Sequence, residues 1–397
     1  MRKKPFLLRR FVQLNVFVCV LLILSCNSNS QIIPINNDAN YGKTYPLMPD
    51  GEIKNIIFFI GDGMGIAQIT AGRIYKYGAN GRLHVERMPV TGIVHTNSSD
   101  NLITDSAAGA TALASGVKTK NGMIGMNPDS VAMTTILELA QTAGKSTGLV
   151  ATSSITHATP ACFASHVDYR KKEPEIADQL VQSGVDVLLG AGKSFFVPKD
   201  SAESRREDDR NVLVEAQQAG YSVVQTREAL AAFNNGKVLG LFADVSLKNE
   251  RPEPTLKELT EKSLELLSKN NKGFFLMVEG SQIDWGAHDN NQEYTVREML
   301  SFDEAVEAGI QFAMKDKHTL VVVTADHETG GLTIEGGSFT GGELKTDWTT
   351  GGHTGVPVPI FAFGPNAAKF SGVYDNTAIP QIFAKIWNFS DFPSVKK

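Results

Sequence analysis

Cysteine is scarce: the 397 residues contain three, Cys19, Cys26 and Cys162. The first two fall in the amino-terminal leader region. Only Cys162 is left for the folded part, so a disulfide between two folded-domain cysteines is excluded. Stability must come from the core and from any bound metal. Excess positive charge is also missing. Lys and Arg number 38 against 43 Asp and Glu, for a net charge of −5. That balance gives no electrostatic basis for a nucleic-acid partner or for adsorption to anionic lipid. Internal repeats and low-complexity tracts are absent too. What is abundant is apolar residues, at 42%, and glycine, with 36. The first allows a large core and the second allows sites built on tight loops.

Residues 1–26 read as a targeting segment. Arg2, Lys3, Lys4, Arg9 and Arg10 precede an apolar run over residues 11–24 that is short for a spanning helix. The run closes Leu22-Ile23-Leu24-Ser25-Cys26, which resembles a bacterial lipobox. That resemblance implies cleavage before Cys26 and membrane attachment through its lipid. The expected location is periplasmic, or anchored at the outer membrane. Residues 27–52 are polar and Asn/Pro-rich and read as a tether. Residues 53–397 read as a single catalytic domain.

Within that domain, strand and helix patterns alternate. Residues 53–60 form a fully apolar strand signal that runs into Gly61-Asp62-Gly63-Met64-Gly65. Further strands are predicted over 146–152, 185–190, 238–242, 274–278 and 319–324. Helices are predicted over 134–143, 211–218, 255–268 and 292–314. The charged stretch 199–210 reads as a solvated loop. The alternation predicts an α/β fold with a large, mostly parallel central sheet and helices on both faces. Ligand sites in such sheets lie at the carboxyl ends of the strands.

Chemistry-bearing residues gather at those predicted ends. Asp62 follows the first strand. Glu279, Asp284 and His288 follow the strand at 274–278, with Asp284 and His288 one helical turn apart. Asp326 and His327 follow the strand at 319–324, and His353 sits on a glycine-rich turn. A separate stretch, Thr104-Asp105-Ser106-Ala107-Ala108, opens a small-residue helix that stops at Gly116. Ser106 therefore stands at a helix amino terminus, where an anion such as phosphate is favoured.

Taken in order, these motifs resemble the alkaline phosphatase family. The matching set is Asp62 in Gly-Asp-Gly-Met-Gly, the Thr104–Ala108 stretch, Ala158-Thr159-Pro160 with Arg170, and Glu279 with Asp284 and His288. Thr324-Ala325-Asp326-His327-Glu328-Thr329-Gly330-Gly331 and Gly352-His353-Thr354 complete it. The resemblance implies hydrolysis of phosphate monoesters through a phosphoserine on Ser106, with Arg170 holding phosphate and Asp105 orienting Arg170. It implies one Zn2+ on Asp284, His288 and His353. A second Zn2+ would sit on Asp62, Asp326 and His327, and one Mg2+ on Asp62, Thr159 and Glu279. A homodimer is also a family expectation.

Two positions depart from the best-known bacterial members. His157 adds an imidazole beside the third ion, which opens that site to Zn2+ or Co2+. Trp285 stands where those members have a cation. The segment from His327 to His353 is short, so the crown insertion that builds the usual dimer interface is reduced. Two rival readings are a phosphodiesterase or sulfatase of the same superfamily, and a non-catalytic lipoprotein that sequesters zinc or phosphate.

Overall fold

The computed structural model describes residues 42–248 and 252–396. The segment read as a leader, the expected lipid site Cys26, and residues 27–41 lie outside the described residues. The chain begins with Asn55–Gly61 (β1), Ile66–Tyr77 (α1), Val90–His95 (β2), Ser106–Ser115 (α2), Ile136–Thr142 (α3), Ser146–Ser154 (β3), Ala158–Ala164 (α4), Glu173–Gln182 (α5) and Val187–Ala191 (β4). It continues with Val212–Gln218 (α6), Tyr221–Val224 (β5), Arg227–Ala232 (α7), Lys237–Leu241 (β6), Leu256–Leu267 (α8), Phe274–Gly280 (β7), Gln282–His288 (α9), Gln292–Asp316 (α10) and Thr319–Thr324 (β8). It closes with Glu328–Thr329 (β9), Leu332–Gly337 (β10), Leu344–Trp348 (β11), His353–Thr354 (β12), Val358–Phe363 (β13), Gly372–Asp375 (β14) and Ala378–Ile386 (α11).

Ten strands form one sheet in the order β14-β2-β13-β8-β1-β7-β3-β4-β6-β5. Every pairing from β8 to β5 is parallel. β13 is the exception, running antiparallel to both β8 and β2. β1, β7 and β8 lie in the middle and are buried along their whole length, which explains their unbroken apolar runs. Helices α1, α8, α9 and α10 pack together, as do α2, α3, α4 and α11, giving the sheet a helical layer on each side. Phe58 meets Phe383 edge-on at 5.3 Å, and Phe163 stacks on Phe275 at 5.9 Å.

Helix starts follow capping chemistry. Thr135 and Glu138 form a reciprocal capping box, so α3 begins at Ile136, later than its apolar pattern suggests. Asp105 caps α2 by accepting from Ala108 N at 2.9 Å, and Gly116 ends it in the left-handed region at φ +73°. Cys162 is buried and free, and burial pushes its thiol up to about 12. Among the described residues, no helix is long and apolar enough to cross a membrane.

Three expectations are corrected or refined. The stretch 199–210 is not simply a solvated loop. Arg206 is buried and donates to Asp178, Asp208 and the carbonyls of Pro174 and Phe195. A guanidinium can be covered when its donors all find acceptors, and sequence pattern does not report that. The end of the segment read as a tether packs on the domain. Tyr45 is buried, its N–H donates to Arg87 O at 2.8 Å, and its ring lies 5.6 Å from that of Phe363. The short segment between His327 and His353 forms an antiparallel hairpin, β10–β11.

Candidate metal centre and phosphate site

The carboxyl ends of β1, β3, β7 and β8 deliver the ligand candidates to one place. Asp62 leaves β1, Glu279 ends β7, and Asp326 and His327 follow β8. α9 brings Asp284 and His288 to one face. The turn that carries Asp62 needs glycine. Gly63 has φ +71°, and a Cβ there would lie 2.8 Å from both Asp284 Cα and Thr329 Oγ1.

Three clusters result. In the first, Asp284 Oδ1 lies 3.3 Å from His288 Nε2 and 3.6 Å from His353 Nε2, and the two Nε2 atoms are 3.1 Å apart. His288 Nδ1 donates to Gly351 O at 2.7 Å, and His353 Nδ1 donates to Thr104 O at 2.8 Å. With both Nδ1 atoms committed as donors to carbonyls, each ring presents its Nε2 to Asp284, the nitrogen that a metal would take. In the second cluster, His327 Nε2 lies 3.4 Å from Asp62 Oδ1, 3.2 Å from Asp326 Oδ2 and 3.3 Å from Ser106 Oγ. The His327 and His353 rings stack with centroids 3.5 Å apart, so the two clusters adjoin. In the third, ligand atoms of Asp62, His157 and Glu279 lie within 4.8 Å of one another.

The donor set fits cations. Asp62, Glu279, Asp326 and His327 are each 0% exposed. Both Asp62 oxygens, Asp326 Oδ2, Glu279 Oε1, His157 Nδ1 and Thr159 Oγ1 are buried without a hydrogen-bond partner. Orphaned buried acceptors in such number are costly unless a positive charge sits among them. Burial, reinforced by neighbouring carboxylates, pushes Asp326 up to about 8 and Asp62 well above its ordinary range. Burial likewise lifts Glu279 to about 7. His157 goes the other way, to about 3, through burial and the Arg170 charge, so its ring is neutral.

Beside these clusters sits an anion fork. Arg170 NH1 donates to Asp105 Oδ2 at 3.0 Å, and its NH2 approaches His157 Nε2 at 3.2 Å. Asp105 Oδ2 also accepts from Gly122 N at 3.0 Å, while Arg170 N donates to Gly122 O at 2.7 Å. One carboxylate thus caps the Ser106 helix and orients the guanidinium. Trp285 meets the His157 ring edge-on at 6.0 Å. Every site residue expected from sequence therefore lies in this one region: nine around the three clusters, with Ser106, Asp105 and Arg170 alongside.

The alkaline phosphatase family model matches residues 53–344 and 342–389. The chain belongs to the alkaline phosphatase family. It is 38% identical to alkaline phosphatase 4 of Bacillus subtilis over 84% of this chain and 89% of that protein. The alkaline phosphatase of the Antarctic bacterium TAB5 superposes with a TM-score of 0.79 at 37% identity, covering 86% of this chain and 100% of that one. A variant of the TAB5 enzyme with a histidine replaced by aspartate holds Mg in its M3 site; it aligns at TM-score 0.77 and 36% identity over 86% and 99%. Like its family, this alkaline phosphatase hydrolyses phosphate monoesters and depends on metal.

Sequence reasoning missed the residues that support these ligands. Thr329 Oγ1 donates to Asp284 Oδ1 and lies 3.2 Å from His327 Nδ1. Ser281 Oγ donates to Glu279 Oε2 at 2.7 Å. Asn121 Oδ1 accepts from Asp105 N at 3.1 Å. Thr329 and Ser281 sit within two residues of a ligand in sequence, which is the one signal that could have found them. Asn121 has no such signal.

Proposed function

We propose that Ser106 is the nucleophile of this phosphomonoesterase, with the three clusters as its metal sites. Asp284, His288 and His353 would hold one Zn2+, and Asp62, Asp326 and His327 a second. Asp62, Glu279 and Thr159 would hold the third ion, with His157 able to join them. Magnesium suits the oxygen donors of the third site, and His157 makes Zn2+ or Co2+ acceptable there. When bound, such ions supply the positive charge and Lewis acidity that a dianionic phosphoryl group requires.

The chain's own groups carry the rest. Arg170 offers two N–H donors to two phosphate oxygens, held in orientation by Asp105. Ser106 is the first residue of α2, and a helix amino terminus favours an anion. Ser106 Oγ gives up its proton and bonds to phosphorus as the ester oxygen leaves with its electron pair and takes up a proton. Water then attacks the phosphoserine from the vacated side, releasing inorganic phosphate and restoring the Ser106 hydroxyl. The observation that carries this reading is the place of Ser106 Oγ, 3.3 Å from His327 Nε2 and on the helix capped by the Arg170 partner Asp105.

The test is Ser106→Ala. Turnover of a monoester should fall by on the order of 10^3-fold or more, with metal content unchanged. The wild type should trap phosphate on Ser106 when quenched in acid. A variant that keeps full turnover would remove Ser106 as the nucleophile and assign the attack to another group or to water. The export reading belongs with this function: a lipidated Cys26 would hold the domain at a membrane surface, and Cys26→Ser should release it from membrane fractions. A homodimer remains the expected assembly, to be read from sedimentation of the purified domain.

A further inference from the structure

Glu328 is 4% exposed and has no part in the chemistry above. Its Oε1 accepts from Gln68 Nε2 at 2.8 Å and Leu332 N at 3.4 Å. Its Oε2 accepts from Thr354 Oγ1, and from Gly331 N at 3.3 Å. One buried carboxylate therefore joins three segments: the start of α1 just past the Asp62 turn, the entry to the β10–β11 hairpin, and β12, which carries His353. A charge buried this deeply is retained at a cost, and all its acceptor capacity is spent on holding segments together.

The segment that carries His353 is glycine-rich, and what else holds it goes mostly to its backbone and to the imidazole: Gly330 N donates to Gly352 O at 2.9 Å, His288 Nδ1 to Gly351 O at 2.7 Å, and His353 Nδ1 to Thr104 O at 2.8 Å. The segment runs Thr349-Thr350-Gly351-Gly352-His353-Thr354-Gly355, and β12 contains only two residues. β12 pairs antiparallel with β9, His353 opposite Thr329 and Thr354 opposite Glu328. Side chains alternate across such a pair. Thr329 and His353 face Asp284, while Glu328 and Thr354 face Gln68. Gln68, 0% exposed, also donates to Thr329 O at 2.7 Å, so α1 grips both strand residues of β9. The last glycine of Gly-Asp-Gly-Met-Gly completes the fit. A Cβ on Gly65 would come within 2.4 Å of Glu328 Cγ and 2.9 Å of Gln68 Oε1.

We propose that Glu328 is a positioning residue that fixes His353 for metal binding, acting through Thr354 on the reverse face of the β9–β12 pair. The idea rests on the ligand assignment given under the proposed function. Without the lock, a glycine-flanked His353 would sample positions away from Asp284 and His288, and the cation they share would bind less tightly. Supporting groups of this kind typically alter metal affinity by about 10–100-fold.

The test compares the full chain with Glu328→Gln, Thr354→Val, Thr354→Ser and His353→Ala, each stripped of metal and titrated with zinc against a chelator. Thermal unfolding of the metal-free proteins is recorded alongside. Glu328→Gln and Thr354→Val should each weaken one zinc by at least about tenfold, and the double variant should be no weaker than either single. Thr354→Ser, which keeps the hydroxyl, should bind as the wild type does. His353→Ala should lose the same zinc. If His353→Ala loses that zinc but Glu328→Gln and Thr354→Val bind it normally, the positioning role is overturned and the ligand assignment stands. A drop in unfolding temperature without weaker zinc binding likewise overturns it, leaving Glu328 as a plain structural acid. If His353→Ala keeps every zinc, the assignment itself fails and the positioning role with it.

Discussion

Asp303 and Asp62 are both fully buried carboxylates, on α10 and at the end of β1, and their surroundings could hardly differ more. Asp303 accepts from His84 N at 3.0 Å and Val85 N at 2.9 Å, closing the chain at residues 84–85 onto α10. Asp62 has no hydrogen-bond partner on either oxygen and faces Asp326, Asp284 and Glu279. The first acid is satisfied by the fold itself. The second is left for something the fold does not contain. The same contrast separates the middle of the sheet from its carboxyl edge. β1 is apolar from Ile56 to Ile60, and within two residues it reaches an orphaned acid. The centre of the sheet is satisfied by its own packing, whereas its carboxyl edge holds buried acids that a bound cation would satisfy.

That contrast can be broken at either end. The largest effect is expected from Phe59→Ala in the core, where Phe59 packs edge-on against Phe302 at 6.0 Å. The loss should be about 3–5 kcal/mol, equal with or without zinc in a calorimetric or denaturant titration. A zinc-dependent loss would tie the core to the metal edge and dissolve the distinction. Next comes Asp62→Asn. The wild type should gain about 2.7 kcal/mol from zinc at a hundredfold excess over its dissociation constant. The variant should lose most of that gain and unfold no more readily than the wild type when both are metal-free. A destabilised metal-free variant would show that Asp62 serves the fold directly.

A third effect, spread over a pH window, sharpens the comparison at Asp303. Burial lifts this acid to about 7 from an ordinary value of 3.8, the two backbone donors notwithstanding. Between about pH 4 and pH 7 the folded protein therefore binds more protons than the unfolded chain, and stability falls as pH rises. The slope approaches about 1.4 kcal/mol per pH unit and flattens above pH 7. Asp303→Asn should lower the slope by this one-proton contribution, as read from unfolding midpoints across the window, while Asp326, Glu279 and Asp62 keep theirs. A slope unchanged by the substitution would show that Asp303 does not contribute to it.

Much of this was legible along the chain. Apolar runs at 53–60, 274–278 and 319–324 became β1, β7 and β8, because central parallel strands are covered on both faces and show no polar alternation. The Ser106 helix was legible from its cap and its closing glycine. Asp62, Asp284, His288, Asp326, His327 and His353 stood out as acids and imidazoles at strand ends or glycine-rich turns, and the resemblance to a known family added Arg170, Asp105, Thr159 and His157 as candidates. Arg206 was not legible, since burial of a charged side chain depends on acceptors as far off as Asp178 and Phe195. Tyr45 was hidden for a similar reason: its partners Arg87 and Phe363 are remote in sequence. The antiparallel placement of β13 between β8 and β2 was equally hidden.

Residue types and local spacing determined by themselves which groups could bind metal, which hydroxyl could attack, and which segments would be strand or helix, because those properties follow from side-chain chemistry and short-range periodicity. Only the folded chain decided how closely the three candidate clusters adjoin, which imidazole nitrogen faces inward, and that Glu328 backs His353. Those depend on distances of a few ångströms between segments up to some 260 residues apart, as from Gln68 to Glu328, and nothing local in a sequence records such a distance.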